Sequence, residues 1–334
     1  MIKKSLLLLI TIVGCADIPL EDEGGAAESE LTQLTIDPAE YRCEPMSEAA
    51  RAVAPPPPPA PIGGSHLPRV KPACPPGQVP YYREPERQMV RLGPPSSRTP
   101  TGSTEANAIA PLAGTYWYAG VMKPTESYNQ NGVGGQILIT NPAVYDQSDM
   151  VTAEMSIVYG SNYHLVEVGL RKFWDSFPRL MISQWSYGQF NDAAGFVRVH
   201  GTYAPGMPLS GYYGSAVKHF VRNDGGNWWV WFNDAWMGYF PGSIWNNSFT
   251  MGNMAHFYGE VYSAQSRVPP LTDMGNGQFS SMSGAAYMSE LCMNSSEYVC
   301  YYLVGGQRIE SNAAYYSLNY ANGSYMKFGG NGGG

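Results

Sequence analysis

From Gly114 to Tyr262 apolar and polar side chains alternate in short runs. A period of two predicts strands over 116–122, 135–139, 150–159, 164–173, 180–186, 196–200, 211–220, 228–233, 236–239 and 256–262. Turn signals such as Asn131-Gly132 and Asn223-Asp224-Gly225-Gly226 separate these runs, and no apolar series at helical spacing interrupts them. The fold class that follows is all-β: an antiparallel, jelly-roll-like β-sandwich. Beyond Gly305 a Tyr-rich stretch is expected to add an edge strand, and the terminal Gly-Gly-Asn-Gly-Gly-Gly is expected to be disordered.

The pattern ahead of the strands is different. Residues 16–104 shift to Pro, Ala, Glu and Arg, and the run Pro55 to Pro59 predicts a stiff polyproline II spacer that cannot build a large core alone. Residues 1–14 have a basic start and an apolar run from Leu6 to Val13, too short to span a bilayer, and read as an export signal. Ile12-Val13-Gly14-Cys15 resembles a bacterial lipoprotein box, in which Cys15 becomes the lipidated first residue; ordinary signal-peptide cleavage nearby is the alternative. The expected organisation is a signal at 1–14, a lipid-anchored tether and Pro-rich activation segment at 15–104, a sandwich at 105–304 and a tail at 305–334.

Composition narrows the function classes. Aromatics make up 13% and charged residues only 14% of the 334 residues, which suits a well-packed scaffold. The net charge of −7, with no basic cluster beyond Lys3 and Lys4, excludes the electrostatic footprint of a nucleic-acid binder. With Cys15 assigned to lipid, Cys43, Cys74, Cys292 and Cys300 allow three disulfide connectivities in an oxidising compartment, of which 43 with 74 and 292 with 300 is favoured. There is no CxxC pair and the five histidines are scattered, so neither a metal nor a cofactor is expected.

Two carboxylates stand out against this background. From Asn227 to Gln265 the acids are Asp234 and Glu260, the latter among aromatic strand residues; Glu167 lies between Val166 and Val168. Burying even a neutral polar group without a partner costs roughly 2–7 kcal/mol, so such glutamates must be hydrogen-bonded, protonated or lining a cleft. Alternation puts Leu165, Glu167 and Gly169 on one strand face and His256, Tyr258, Glu260 and Tyr262 on another. Two glutamates on concave faces of neighbouring strands would share a water, one held protonated by the other's charge, as acid–base hydrolysis requires. The residues alone fit a peptidase and a carbohydrate-active or carbohydrate-binding sandwich equally, with a non-catalytic adhesion domain as a third reading. No GxSxG elbow supports a serine hydrolase of that type.

A series of short motifs in order changes that balance. Cys74-Pro75-Pro76-Gly77-Gln78-Val79-Pro80, Val166-Glu167-Val168-Gly169, Pro178-Arg179-Leu180, Gln184-Trp185, Gly195-Phe196-Val197-Arg198, Asn227-Trp228-Trp229, Gly238-Tyr239-Phe240-Pro241, Gly259-Glu260-Val261 and Asp273-Met274-Gly275-Asn276-Gly277 resemble successive motifs of the neprosin family of glutamic peptidases. The resemblance spans most of residues 74–292. It implies a signal, an activation segment and a β-sandwich catalytic domain, with the two catalytic glutamates at Glu167 and Glu260. It also implies endopeptidase activity in acid with a preference for cutting after proline. The family's two cysteines near Gly195-Phe196-Val197 are absent here.

Secondary expectations follow. Glu154 aligns with a polar Gln of the family and is a candidate to orient a catalytic carboxylate. Trp185, Trp228, Trp229, Trp231, Tyr239 and Tyr258 are candidates for an aromatic wall against proline. The expected partner is a proline-containing peptide or protein; membrane contact is limited to the lipid on Cys15, and the chain is expected to be an exported monomer of the cell envelope, or extracellular once matured. The activation segment would fill the cleft through Arg83, Arg87 and Arg91, loosen in acid, and be cut after Pro94, Pro95, Pro100 or Pro111.

Overall fold

The computed structural model describes residues 34–59, 67, 70–83, 114–124, 130–160, 162–174, 176–265, 267–294, 300–321 and 323–333, without the side chains of 300 and 301. The signal, Cys15, the acidic tether, Arg87, Arg91 and the four expected cleavage sites lie outside the described residues. Among the described residues no helix is long and apolar enough to cross a membrane.

Chain order begins with β1 (Tyr41–Pro45), the short helix α1 (Glu48–Ala52) and β2 (Gln78–Tyr82). The two strands pair antiparallel, and a disulfide joins Cys43 of β1 to Cys74 in the chain leading into β2. Next come β3 (Thr115–Pro124), β4 (Gly132–Leu138), β5 (Met150–Tyr159), β6 (His164–Phe173), β7 (Arg179–Ser186), β8 (Gln189–Phe190), β9 (Val197–Arg198) and β10 (Ala216–Asp224). The remainder are β11 (Asn227–Phe232), β12 (Ala235–Phe240), β13 (Met254–Ser263), β14 (Tyr287–Asn294), β15 (Cys300–Tyr302), β16 (Gln307–Glu310), β17 (Ser317–Tyr320) and β18 (Tyr325–Gly329).

These strands build two antiparallel sheets, as the alternation predicts. One has seven strands in the order β16-β3-β13-β5-β6-β7-β8; the other has nine, in the order β17-β18-β14-β4-β10-β11-β12-β9 with β15 beside β14. Their facing sides share one apolar core. Val121, Met155, Ile157, Val166, Val168 and Phe257 come from the first sheet, and Val133, Ile137, Val217, Val221, Trp228 and Val230 from the second. Because successive side chains point to opposite faces, the same alternation leaves Glu154, Glu167 and Glu260 on the side of the seven-stranded sheet that faces away from this core.

Several strand bounds differ from the sequence pattern for local reasons. The run 211–220 becomes a strand only from Ala216, because Ser210–Tyr212 closes a 3-10 turn and Gly214 turns back at a positive φ of 78°. The run 196–200 shortens to Val197–Arg198, since His200 Nδ1 accepts from the Thr202 and Tyr203 amides and folds the chain over. β14 escapes the period-two pattern: Glu290 sits at φ 53° and the pairing with β4 shifts register between Ser289 and Cys292, so its alternation is broken. The C-terminal stretch adds three strands, β16 to the seven-stranded sheet and β17 and β18 to the nine-stranded one. Nor do Gly330 and Gly333 hang free: Gly330 bridges Met274, and the Gly333 amide donates to Pro270 O at 2.8 Å.

Candidate active site

Register places the carboxylates. β5 lies between β13 and β6, so Glu260 and Glu167 are not on neighbouring strands, as expected from the sequence, but on next-but-one strands. Glu260 stands opposite Thr152 and Glu167 opposite Ser156, while Glu154, between those two positions on β5, stands opposite Tyr258 on one side and Gly169 on the other. Glu154 is therefore the diagonal neighbour of both, at the roughly 7–8 Å typical of such positions. The result is a diagonal row of three glutamates, Glu167, Glu154 and Glu260. Their exposures are 2%, 2% and 3%.

Glu167 and Glu154 are held differently. Ser183, on β7 opposite Glu167, donates its hydroxyl to Glu167 Oε2 at 2.5 Å. Burial pushes the Glu154 carboxyl well above the usual range, and the charges of Glu167 and Glu260 push it further. The Tyr258 and Thr152 hydroxyls oppose part of that rise without closing to hydrogen-bond geometry. Burial, reinforced by the three carboxylates, likewise raises the Tyr258 phenol, which stays a proton donor. Room for Glu154 comes from Gly169: a Cβ there would lie 2.1 Å from Ala153 O and 2.9 Å from Glu154 Cβ. The Gly that follows Glu167 by two residues thus serves Glu154 across the sheet.

The rest of this face supports the row. His256, opposite Ser156, is buried and its Nδ1 lies 3.4 Å from Ser156 Oγ; burial lowers its pKa to about 4, so the ring is neutral. Arg171 pairs with Asp192 through two contacts of 3.2 Å. Among the described residues no group of three His, Cys, Asp or Glu side chains is close enough to hold a metal ion.

The structure brings Glu167, Glu154, Glu260 and Tyr258 together. Trp185 shares the face: it lies opposite Leu165, two residues from Ser183, with its ring against Tyr163 and Phe190. Four members of the expected proline wall are elsewhere, with Trp229 and Trp231 on the outer face of the nine-stranded sheet. Trp228 points into the core between the sheets, its Nε1 donating to Phe249 O at 2.7 Å, because alternation along β11 sends it inward. Tyr239 is on the outer face of the nine-stranded sheet, in a cluster with Trp229 and Trp236, and its hydroxyl donates to Ala49 O. None of the four faces the glutamates. Ser183 is the residue the sequence reading missed. Its strand was legible, but pairing it with Glu167 needs the register of the β6–β7 hairpin.

The cysteines and the N-terminal segment also take definite places. Cys292 is disulfide-bonded, while the side chain of Cys300, its expected partner, lies outside the described ones. Residues 34–59 and 70–83 pack against the sandwich, and the ion pair they make with it has the polarity opposite to that expected of Arg83, while Arg87 and Arg91 lie outside the described residues. Glu40 of the segment pairs with Arg179 of β7 at 2.7 Å, and Arg83 joins only by its amide, which donates to Glu40 O. Tyr82 donates to Thr202 O at 2.7 Å, and Arg198 stacks over the Tyr81 ring at 4.0 Å.

The description Neprosin matches residues 147–331, which is more than half of the chain and includes all three glutamates. The chain belongs to the neprosin family of glutamic peptidases. Among solved structures, this neprosin-family chain is similar to scytalido-glutamic peptidase with a peptide-based transition-state analogue, at 11% identity and a TM-score of 0.42, over 66% of this chain and all of that one. It is also similar to SCP-B, a member of the eqolisin family in complex with the tripeptide Ala-Ile-His, at 10% identity and a TM-score of 0.40, over 66% and 100% of the two chains. A native glycosidic hydrolase aligns at 9% identity and a TM-score of 0.22, over 49% and 81%. Similarities this distant carry no argument about the chemistry of the neprosin-family site.

Proposed function

We propose that this neprosin-family peptidase is an endopeptidase that cuts on the carboxyl side of proline in acid, using water handled by its glutamate row, and that it is exported as a lipid-anchored precursor. The observation that carries the reading is the row itself: three buried carboxyls, one fixed by a serine hydroxyl and one held neutral by burial. Ser183 donates to Glu167 and so favours its ionised form, which makes Glu167 the base. Glu167 takes a proton from water as the water oxygen attacks the scissile carbonyl carbon. Protonated Glu260 donates to the leaving nitrogen as the C–N bond breaks. Glu154, neutral between them, presents its proton to the carbonyl oxygen. The reaction needs carboxyls that carry protons, which is why acid favours it. Tyr258, opposite Glu154, and Trp185, further along the same face, are the aromatic candidates for a proline ring.

The precursor reading rests on the packing of residues 34–59 and 70–83. Protonation of Glu40 in acid would remove its charge from Arg179 and loosen that contact. The test is cleavage of proline-containing peptides from pH 2.5 to 7 by the wild type, Glu167→Gln and Glu260→Gln, with products read by mass spectrometry. Cleavage after proline in acid by the wild type, with both variants reduced at least about a thousandfold, supports the reading. Substantial activity in either variant overturns the assignment of that residue, and acid cleavage at other residues overturns the specificity.

A further inference from the structure

The proline run of the N-terminal segment is seated on the sandwich. Residues 53–59 read Val-Ala-Pro-Pro-Pro-Pro-Pro, and their burial recurs every third position: Pro56 is buried, Val53 and Pro59 are half-buried, and Ala54, Pro55, Pro57 and Pro58 are exposed. Three residues per turn is the repeat of a polyproline II helix, so one edge of such a helix is docked and the other two face solvent. The surface beneath is the outer face of the nine-stranded sheet. There Val53 packs against a cluster of Trp229, Trp236 and Tyr239, edged by Val197 and Trp231.

A polar contact matches the same conformation. A polyproline II backbone makes no internal hydrogen bonds, so its carbonyls remain available, and aromatic grooves that bind it combine ring surfaces with donors to those carbonyls. Here Trp236 Nε1 donates to Pro56 O at 2.9 Å; seven residues earlier, in α1 just ahead of the run, Ala49 O accepts from the Tyr239 hydroxyl at 3.0 Å and pins the start of the segment to the same face. The rings hold one another in place: Trp231 meets Trp236 edge-on at 5.2 Å, and Trp229 meets Tyr239 at 4.7 Å.

We infer that this face is a binding groove for polyproline II segments, filled in cis by residues 53–59 and able, when that run leaves, to hold a proline-rich segment of a protein substrate. The groove lies on the opposite sheet from the glutamates, so it acts as a second point of attachment and not as part of the bond-breaking site. Its use for substrate rests on the proposed proline-directed cleavage. The groove itself does not, because its readout is binding and not turnover.

The experiment uses the full chain and a dansylated peptide of residues 48–60, with energy transfer from tryptophan to dansyl as the signal. The wild type should respond only at peptide concentrations near a millimolar or above, because the tethered run competes at an effective concentration of that order. The release variant Val53→Asp/Pro56→Asp/Pro59→Asp, which spoils the docked edge and leaves the groove intact, should bind at least tenfold tighter. Adding Trp236→Phe, which removes the donor, should weaken binding about fivefold, the worth of one hydrogen bond. A peptide with all five prolines changed to Ser should give no saturable signal. A folded release variant that ignores the proline peptide, or binds the serine peptide equally, overturns the inference. If the release variant does not fold, the millimolar response of the wild type to the proline peptide and its absence with the serine peptide decide the matter in the same way. Groove binding with no peptide cleavage would sink the catalytic reading alone, and cleavage without groove binding would sink this one alone.

Discussion

Replacing Ser183 by alanine removes one hydroxyl and tests which glutamate is the base. Ser183 is fully buried, Glu167 nearly so, and the hydroxyl donates to Glu167 Oε2 at 2.5 Å. A hydrogen bond to a charged group contributes about 1.5–3 kcal/mol. At 1.36 kcal/mol per pH unit, that is about one to two units of protonation equilibrium. The sign follows from the donor: Oγ–H favours the ionised carboxylate, so without it Glu167 holds its proton to higher pH. If Glu167 is the base, the acid-side limb of kcat/KM should move up by about one to two pH units. At a pH on that limb the rate should fall roughly ten- to a hundredfold, while the plateau changes little. Ser183→Thr, which keeps the hydroxyl on a strand position suited to β-branched residues, should leave the limb near its wild-type place. The assay is kcat/KM on a proline-containing peptide from pH 2.5 to 7. An acid limb that stays put in Ser183→Ala, or moves down, refutes the assignment of Glu167 as base.

Three further outcomes are expected. Glu154→Gln copies the neutral carboxyl that burial enforces, so acid activity should stay within about threefold of wild type. Because the folded pKa of Glu154 lies above its unfolded value, the wild type loses stability as pH rises from about 4.5 through the raised value; melting temperatures should show a flatter pH dependence in Glu154→Gln, and an unchanged slope would count against a buried, neutral Glu154. His219 is the opposite case: burial lowers its pKa to about 4, so its contribution is complete above pH 6.5 and is lost as pH falls toward 4. His219→Gln should therefore lose about 3 kcal/mol less than wild type between pH 7 and 4 in urea unfolding, and an equal loss would argue that the ring is already charged. The Cys43–Cys74 bond spans 31 residues, and removing it as Cys43→Ser/Cys74→Ser should cost about 4 kcal/mol on the chain-entropy account; an unchanged urea midpoint would show that β1 and β2 stay paired without it.

Much of the site was legible one strand at a time. The bounds of β5 and β6 match the sequence pattern residue for residue, since both are long alternating runs joined by a short turn. Parity along β13 put Tyr258 beside Glu260 on one face, and parity along β6 put Glu167 opposite in orientation to Val166 and Val168. The proline run was legible too, because a polyproline conformation is set by the pyrrolidine rings themselves. Parity says nothing, however, about which side of the molecule a face meets. Trp228 and Tyr239 were aromatic, on strands and close in sequence, yet one entered the core and the other the outer face of the far sheet.

By itself, then, the sequence determined the strands, the parity of each side chain and the scarcity of charge that makes Glu167 and Glu260 conspicuous, because all three depend on neighbours in the chain. Strand order was decided only in the tertiary structure. β13 reaches β5 across about a hundred residues because the paired sheet buries a common apolar face, and that pairing inserts Glu154 between the two glutamates and brings β7 beside β6 with Ser183 against Glu167. The docking of Pro56 on Trp236, 180 residues apart, belongs to the same class of fact. Alternation is a property of the local backbone, whereas the partner of a face is chosen by what the whole chain can bury at once.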